Sequence, residues 1–225
     1  MSNTLIAGVG GQGTVLASKL LAKAALLEGH MVRTAETIGM AQRGGSVLGH
    51  VRITRVSTYG GARVGSYKDE PLSPLIPLGC ADLLIGFEPG ETVRALPYLR
   101  NGGVVVTARQ ALIPAAAQAS ASKTIRRYDG TAELNYLRYC CKTGRIESLI
   151  IVDGTAVCSS LGSSRILNVL LLGAALATKS IEITQSSMVA ALESLVKSEY
   201  LELNRRALLF GMGSTNLKNE KQIRT

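Results

Sequence analysis

The sequence predicts an α/β protein with a Rossmann-like, doubly wound and mostly parallel sheet, followed by C-terminal helices. Three observations predict this class. A short apolar stretch, Leu5 to Ala7, runs into a glycine-rich turn and then into a helical pattern. Further apolar runs of strand length alternate with helical patterns, as in proteins built around a parallel sheet. From about residue 165 onward the pattern is helical only.

The glycine-rich turn is the first feature that suggests a ligand. It consists of Gly8, Val9, Gly10, Gly11, Gln12 and Gly13. Its glycine spacing fits the dinucleotide fingerprint, in which a strand ends in glycines and a helix begins. Backbone N–H groups at the start of a helix suit phosphate or another anion. The turn is not a P-loop, because Thr14 follows Gly13 and no Lys is present there. A purely structural turn is an equally ordinary interpretation.

The next elements complete a strand–helix–strand unit. A helix is predicted over Thr14 to Glu28, with Gly29 as a left-handed cap and a second strand over Met31 to Ala35. Its predicted buried face contains Leu16, Leu20, Ala24 and Leu27. Glu36 follows that strand, about 20 residues past the turn, where a Rossmann enzyme places the acid that holds a ribose. This position favours a nicotinamide or adenine nucleotide.

A second unusual stretch contains Gln42, Arg43, Gly44, Gly45 and Ser46. Two glycines after an arginine place exposed backbone N–H groups beside a planar guanidinium, a combination suited to carboxylate or phosphate. The alternative is a glycine hinge whose arginine pairs with a carboxylate of this chain or of a neighbour. The residues from Ser46 to Ile53 alternate in polarity and predict a half-buried strand.

The remaining pattern continues the alternation of strands and helices. In order, it predicts a strand over Ala81 to Phe87, a helix over Pro89 to Arg100 that Pro97 interrupts, a strand over Val104 to Ala108, a strand over Lys123 to Tyr128, a helix over Ala132 to Lys142, a strand over Leu149 to Val152, and helices over Arg165 to Lys179, Gln185 to Lys197 and Tyr200 to Phe210. Asp153 either borders a ligand site or, as we favour, caps the following helix. The helix from Arg165 is apolar nearly all round, so we expect cover on several sides, for which a partner subunit is one source.

Composition limits the other classes. A chain of 225 residues with 46% hydrophobic residues suits one domain, over residues 1–211, followed by a loose polar tail at 212–225. No window reaches the roughly 18 apolar residues that a membrane helix needs, and no signal peptide is evident, so we expect a cytoplasmic protein without membrane contact. The net charge of +9 is spread along the chain, which disfavours nucleic acid and suits an acidic partner, an anionic cofactor or simple solubility.

The cysteines suggest no metal or redox site. Cys80, Cys140, Cys141 and Cys158 are too few and too scattered for a disulfide framework or an iron–sulfur cluster. With His30 and His50 as the two histidines, their spacing forms no zinc site. We expect buried structural thiols and no metal ligands.

The two glycine-containing stretches, followed by His50-Val51-Arg52, resemble the gamma-type domain of the 2-oxoacid:ferredoxin oxidoreductases. The resemblance runs from Leu5 to Gly211. It also includes Ala81, Asp82, Glu88, Glu91, Arg94, Gly102, Gly103, Arg165, Asn168, Gly173, Asn204, Ala207 and Phe210. Gly49, where a serine is expected, and Thr54-Arg55, in place of a glycine turn, depart from the pattern.

The resemblance implies a small subunit of an enzyme for CoA-dependent oxidative decarboxylation of a 2-oxoacid, such as indolepyruvate or another arylpyruvate. Such an enzyme uses thiamine diphosphate and iron–sulfur clusters, and ferredoxin accepts its electrons. This sequence lacks the Gly-Asp-Gly thiamine diphosphate signature and a cluster-binding cysteine run. A larger partner subunit is therefore expected to carry both cofactors, and this chain is expected to hold no catalytic residue and to be inactive alone.

The residues Gly8, Gly10, Gly11, Gln12, Gly13, Gln42, Arg43, Gly44, Gly45 and Ser46 are the candidate ligand-binding set. Their expected ligand is an anionic group, either a phosphate of coenzyme A or the carboxylate of the oxoacid, received at the subunit interface. Two alternatives stay open at this point. One is an independent NAD(P)-dependent oxidoreductase, which depends on the first turn and Glu36. The other is an assembly module that binds no small molecule.

Overall fold

The computed structural model describes residues 1–39, 44–59, 62–64, 73–112 and 128–214. Its strands are β1 (Ser2–Val9), β2 (Met31–Ile38), β3 (Ser46–Thr54), β4 (Ser57–Tyr59), β5 (Ala62–Val64), β6 (Ala81–Gly86), β7 (Leu99–Ala108) and β8 (Ile146–Val152). Its helices are α1 (Thr14–Leu27), α2 (Pro89–Ala95), α3 (Thr131–Lys142), α4 (Gly154–Ser160), α5 (Leu167–Ala177), α6 (Gln185–Leu195) and α7 (Ser198–Ser214), with 3₁₀ turns at Leu96–Tyr98 and Ser164–Ile166.

Six of these strands form one sheet in the order β2-β3-β1-β6-β7-β8, and β4 pairs with β5 in a small separate hairpin. The four strands β1, β6, β7 and β8 are parallel, whereas β3 is antiparallel to both of its neighbours. The predicted mostly parallel α/β sheet is confirmed. The strand that follows α1 is not the neighbour of β1, however, because β3 lies between them.

Apolar side chains cover both faces of the sheet. On one face, Ile6, Ile85 and Val106 belong to a core shared with residues of α1, α5, α6 and α7. On the other face, Leu5 and Leu84 belong to a core shared with residues near α2 and on α3. Because successive residues of a strand point to opposite faces, β1 contributes to both cores. The doubly wound arrangement is therefore confirmed.

The apolar helix α5 is covered within the chain itself. Every residue from Asn168 to Leu176 is buried, and α7 packs along α5. The two helices approach closely, because a Cβ on Gly173 would lie 2.2 Å from the carbonyl oxygen of Leu208. The expected cover on several sides is present, and α7 of the same chain supplies part of it.

Several predicted details differ. On α1 the buried side centres on Ala17, Leu20 and Ala24, while Leu27 at the predicted buried face is 48% exposed. The strand β7 begins at Leu99, directly after the 3₁₀ turn that contains Pro97. The predicted alternation of β3 is present on one face, where Val47, Val51 and Ile53 are buried. On the other face Leu48 and Arg52 are partly exposed and His50 is buried.

Two predictions lie largely or wholly outside the described residues. The strand predicted over Lys123 to Tyr128 falls almost entirely within 113–127, and most of the predicted polar tail falls within 215–225. The division into one domain and a tail stays a prediction, with α7 continuing to Ser214. None of the described helices is both long and apolar enough to cross a membrane.

Candidate functional site

The candidate site lies where the sheet changes the side of its connections. The helix after β1 covers one face of the sheet, and the helix after the neighbouring parallel strand β6 covers the other face. In open α/β sheets a crevice forms at such a point, outside the carboxyl ends of the strands. The glycine-rich turn after β1 and the segment after β6 lie at this point of the sheet.

The glycine-rich turn has the backbone that its sequence predicts. Gly11 and Gly13 have φ angles of +100° and +84°, a left-handed conformation that side-chain-bearing residues rarely adopt. Gly13 is the N-cap of α1, and no side chain among the described residues caps the helix there. Gly8 packs tightly, since a Cβ on it would lie 2.7 Å from Thr14. The first turn of α1 therefore has N–H groups that its own residues do not satisfy.

Gln12 holds the turn together. Its Oε1 accepts a 2.7 Å hydrogen bond from the N–H of Val9, and its Nε2 donates one of 2.9 Å to the carbonyl oxygen of Phe87. The N–H of Phe87 in turn donates to the carbonyl oxygen of Ala7. Both polar atoms of the Gln12 side chain are thus engaged within the protein, which gives this residue a structural role between the ends of β1 and β6.

The second glycine loop lies beside the first. The N–H of Gly10 donates a 2.9 Å hydrogen bond to the carbonyl oxygen of Gly45, and Ser46 begins β3 opposite Val9. Gly44 has a φ of +77° and open space around it. Gln42 and Arg43 lie outside the described residues. The structure therefore brings Gly44 to Ser46 next to Gly8 to Gly13, and their binding of a ligand stays a prediction.

Asn168 was not in the predicted set, yet it lies against the turn. It is 3% exposed at the start of α5, and its Nδ2 lies 2.7 Å from the position that a Cβ on Gly13 would occupy. Its Oδ1 accepts a hydrogen bond from the N–H of Val169 at 2.8 Å. More than 150 residues separate Asn168 from Gly13, so neither periodicity nor local spacing connects the two.

Glu88, which follows β6, has a structural role at the carboxyl ends of the strands. Glu88 is 4% exposed, caps α2 by accepting from the N–H of Glu91, and accepts a 2.5 Å hydrogen bond from the Tyr128 hydroxyl. Burial, together with this bond to Glu88, raises the pKa of the Tyr128 hydroxyl. Tyr128 therefore stays protonated and donating, and Glu88 serves as a cap.

At the ends of β7 and β8, Asp153 caps α4, as we favoured from the sequence. Its carboxylate accepts from the N–H of Thr155 at 3.2 Å and from Gln110 at 2.9 Å, and it pairs with Arg109 at 3.3 Å. The carboxylate is thus committed to partners in this chain. Asp153 is therefore a helix cap and not an unpaired carboxylate beside a ligand site.

Glu36 does not occupy the position that a Rossmann ribose acid takes. It lies inside β2, paired with Gly49 of β3, and β3 separates it from β1. In the Rossmann arrangement the strand carrying that acid is the neighbour of the first strand. The feature that favoured a dinucleotide therefore lacks its expected geometry.

His50 and Arg52, which belong to the family-like motif, hold the segment that precedes β6. The Nδ1 of His50 accepts a 3.2 Å hydrogen bond from the N–H of Ile76, and Arg52 donates to the carbonyl oxygens of Ser73 and Leu75. His50 is 2% exposed, and burial lowers the pKa of its imidazole. The motif therefore has a clear structural role in this chain.

Both departures from the family pattern have local explanations. A Cβ on Gly49 would lie 2.2 Å from the Oγ of Ser18 on α1, so a side chain does not fit at that position without a shift. Arg55, which replaces a glycine turn, forms an ion pair with Glu182.

One cavity lies away from the glycine-rich turn. A cavity of about 460 Å³ opens at the opposite ends of the strands, beside Ser2, Asp82, Arg100 and Lys179.

Within the described ranges, no three His, Cys, Asp or Glu side chains are grouped as metal ligands. The expectation of buried thiols is correct for Cys140 and wrong for Cys80, which is exposed.

Comparison with known proteins gives a consistent result over nearly the whole chain. The family model described as pyruvate ferredoxin/flavodoxin oxidoreductase matches residues 3–213. The indolepyruvate oxidoreductase subunit IorB of Archaeoglobus fulgidus is 34% identical over 209 residues, which cover 93% of this chain and 92% of that protein.

Solved structures show the same fold. The gamma subunit of a keto/oxoacid ferredoxin oxidoreductase from Geobacter sulfurreducens matches with a TM-score of 0.64 and 19% identity, over 97% of this chain and all of that one. The 2-oxoglutarate:ferredoxin oxidoreductase of Magnetococcus marinus, solved with 2-oxoglutarate, coenzyme A and succinyl-CoA, matches with a TM-score of 0.62 and 15% identity, over 97% of this chain and 31% of that chain. With the family model spanning almost every described element, the chain belongs to the pyruvate ferredoxin/flavodoxin oxidoreductase family.

Proposed function

We propose that this chain is the small subunit of an oxidoreductase that decarboxylates indolepyruvate or another arylpyruvate, with coenzyme A as acyl acceptor and ferredoxin as electron acceptor. One observation carries the proposal. The similarity to a subunit of indolepyruvate oxidoreductase extends over more than nine-tenths of both chains, so the likeness is to a whole subunit and not to a shared module.

The cofactors of the reaction belong to a larger partner subunit in this proposal. Thiamine diphosphate supplies the electron sink for decarboxylation, and iron–sulfur clusters pass single electrons onward. This chain does not fit either group, because its sequence lacks the thiamine diphosphate signature and a cysteine run, and its four cysteines are scattered. The chain therefore contributes binding surface and architecture, and the partner contributes the redox chemistry.

The test is reconstitution with the large subunit that the same source encodes. The chain alone should give no indolepyruvate-dependent reduction of ferredoxin, and the large subunit alone should give little. The purified complex should give full, CoA-dependent turnover. Turnover by the isolated chain, or equal turnover by the large subunit without it, would contradict the proposal. Phenylpyruvate and 2-oxoglutarate, assayed in parallel, report the preferred class of oxoacid.

Within that complex, we infer that the two glycine loops receive an anionic group at the subunit interface. The unsatisfied N–H groups at the start of α1 support this role, and so does the position of the Gly44–Ser46 segment beside Gly10. The Magnetococcus marinus relative of this fold was solved with coenzyme A, which makes a phosphate of that molecule one candidate and the substrate carboxylate the other.

Replacement of Arg43 by Ala in the reconstituted complex tests this role. Loss of a guanidinium that contacts an anion should raise the KM for coenzyme A or for the oxoacid about tenfold or more, because charged hydrogen bonds are worth roughly 1.5–3 kcal/mol. Arg206→Ala, which removes an exposed arginine of α7, is the charge-matched control. Unchanged KM values in an intact complex would remove the ligand role and favour the assembly module.

A further inference from the structure

The starting observation is the free edge of the strand β2. Among the strands that the structure describes, β2 has a neighbour, β3, on one side only. It is 8 residues long, contains no proline and runs beside β3 without a bulge. An edge of this kind is a template for pairing with another strand, and proteins often block it with a proline, a bulge or a very short strand. None of these three devices is present in β2.

One hydrogen bond shows which residues of β2 direct their backbone groups outward. The N–H of Gly39 donates a 2.9 Å hydrogen bond to the carbonyl oxygen of Ser46, which lies opposite it when the register of β2 and β3 is continued. In an antiparallel pair, such bonding alternates along the strand. The odd-numbered residues of β2 therefore bond to β3. The even-numbered ones, Val32, Thr34, Glu36 and Ile38, direct their N–H and C=O groups to the free edge.

A second copy of the same strand fits this edge in an antiparallel register. The four outward-bonding residues are centred on Ala35, so a two-fold axis beside Ala35 matches each of them with another of the four. Val32 then lies opposite Ile38 of the second copy, and Thr34 lies opposite Glu36. Moving the axis to Thr34 would leave Ile38 without a counterpart in β2. The register at Ala35 is therefore the one that uses the whole edge.

The side chains of β2 are complementary in this register. Ile38 is 63% exposed, and Val32 of the second copy would cover it, which removes apolar area from water. The hydroxyl of Thr34 is able to donate to the carboxylate of Glu36 across the axis, and cross-strand pairs of both kinds stabilise sheets. Ala35 meets its own copy, and its small side chain permits the close approach of such a pair.

We propose that two copies of this chain associate through β2, so that their sheets join edge to edge about a two-fold axis. The interface is isologous, because the same strand of both copies supplies it. Backbone hydrogen bonds supply affinity, and the contacts of Val32 with Ile38 and of Thr34 with Glu36 set the register. The inference is independent of the reaction proposed above, and it gives Glu36 a role at the edge of the sheet.

The mass of the full chain in solution, measured by sedimentation over a concentration series, tests the inference. The parent chain should reach twice its mass of 23.7 kDa. Thr34→Glu brings a carboxylate opposite Glu36 of the second copy at two symmetric positions, and it should raise the dissociation constant of the dimer about tenfold or more. Thr34→Lys is the matched control, because its cation faces the same carboxylate and should leave the dimer intact or tighter. Glu36→Lys, added to Thr34→Glu, should restore the dimer.

A further variant tests the backbone pairing. Thr34→Pro removes an N–H group that faces the free edge and breaks no bond to β3, so the fold should remain while the dimer is lost. Circular dichroism of each variant checks the fold. If Thr34→Pro does not fold, the charge variants decide the outcome.

Several results would overturn the inference. A parent chain that stays monomeric does so, as does a dimer that neither Thr34→Glu nor Thr34→Pro weakens. Equal weakening by Thr34→Glu and Thr34→Lys also does so, since the register predicts opposite effects of the two charges. A monomer that binds the large subunit, and loses that binding in Thr34→Pro, would assign the edge to the large subunit instead. A dimer that Thr34→Glu weakens and the added Glu36→Lys restores supports the inference.

Discussion

Among single residues, Gln12 and Asn168 show that the surroundings of a side chain in the fold decide its role. Gln12 belongs to a turn typical of ligand sites, yet both of its polar atoms bond to Val9 and Phe87. Asn168 reads in the sequence as a polar residue inside an apolar helix, yet its Nδ2 faces Gly13. A residue's type predicts which bonds it is able to make, and tertiary contacts decide which of them remain available.

His50 gives a prediction at this scale. Its buried Nδ1 accepts from Ile76, so burial favours the neutral imidazole and lowers the pKa of His50 below its ordinary value of 6.5. The unfolded chain therefore binds the proton more readily than the folded chain. Stability from this residue should be complete above pH 6.5 and should decline as the pH falls below that value.

The measurement is the pKa of His50 by NMR, together with urea unfolding between pH 7.5 and 5. The expected result is titration of His50 below 6.5 and a falling free energy of unfolding over the acid part of the range. An imidazole that titrates at or above 6.5 would contradict the structural role of His50.

Among elements, the helices α5 and α7 cross with their backbones close together. A Cβ on Gly211 would lie 2.0 Å from the carbonyl oxygen of Leu170 and 2.9 Å from the backbone nitrogen of Ala174. These are backbone atoms, which do not move aside as a flexible side chain would. The absence of a side chain at Gly173 and at Gly211 therefore permits this close approach.

Gly211→Ala should therefore destabilise the protein by about 1–3 kcal/mol or more, because the two helices must separate. Gly213→Ala on the same helix is the matched control, since a Cβ there meets nothing within 4 Å. That change should be neutral or stabilising by up to about 1 kcal/mol. Urea unfolding of both variants measures the difference, and equal stabilities would show that the crossing is looser than described.

At the scale of elements, the sequence predicted well those features that depend on residues close together in the chain. The glycine turn, the cap at Asp153 and the break at Pro97 follow from residues close to one another in the chain, and all three are present. Neighbours in the sheet were not predictable in the same way. Periodicity reports which residues are buried but not what buries them, so the insertion of β3 beside β1 and the cover of α5 by α7 were missed.

For the whole molecule, both faces of the sheet are closed by helices of the same chain. We therefore expect the isolated chain to fold without its partner subunit and to unfold in urea in a single cooperative transition. Circular dichroism and tyrosine fluorescence should give the same midpoint. Different midpoints, or strong binding of an apolar dye before unfolding, would show that the core depends on the partner.

The linkage of three strand ends has a mechanical consequence. Gly45 is hydrogen-bonded to Gly10, and Gln12 is hydrogen-bonded to Phe87. Hydrogen bonds therefore join the neighbouring ends of β3, β1 and β6. We therefore expect a ligand that shifts Gly45 to shift Gly10 and the segment after β6 as well, because these hydrogen bonds join the three strand ends.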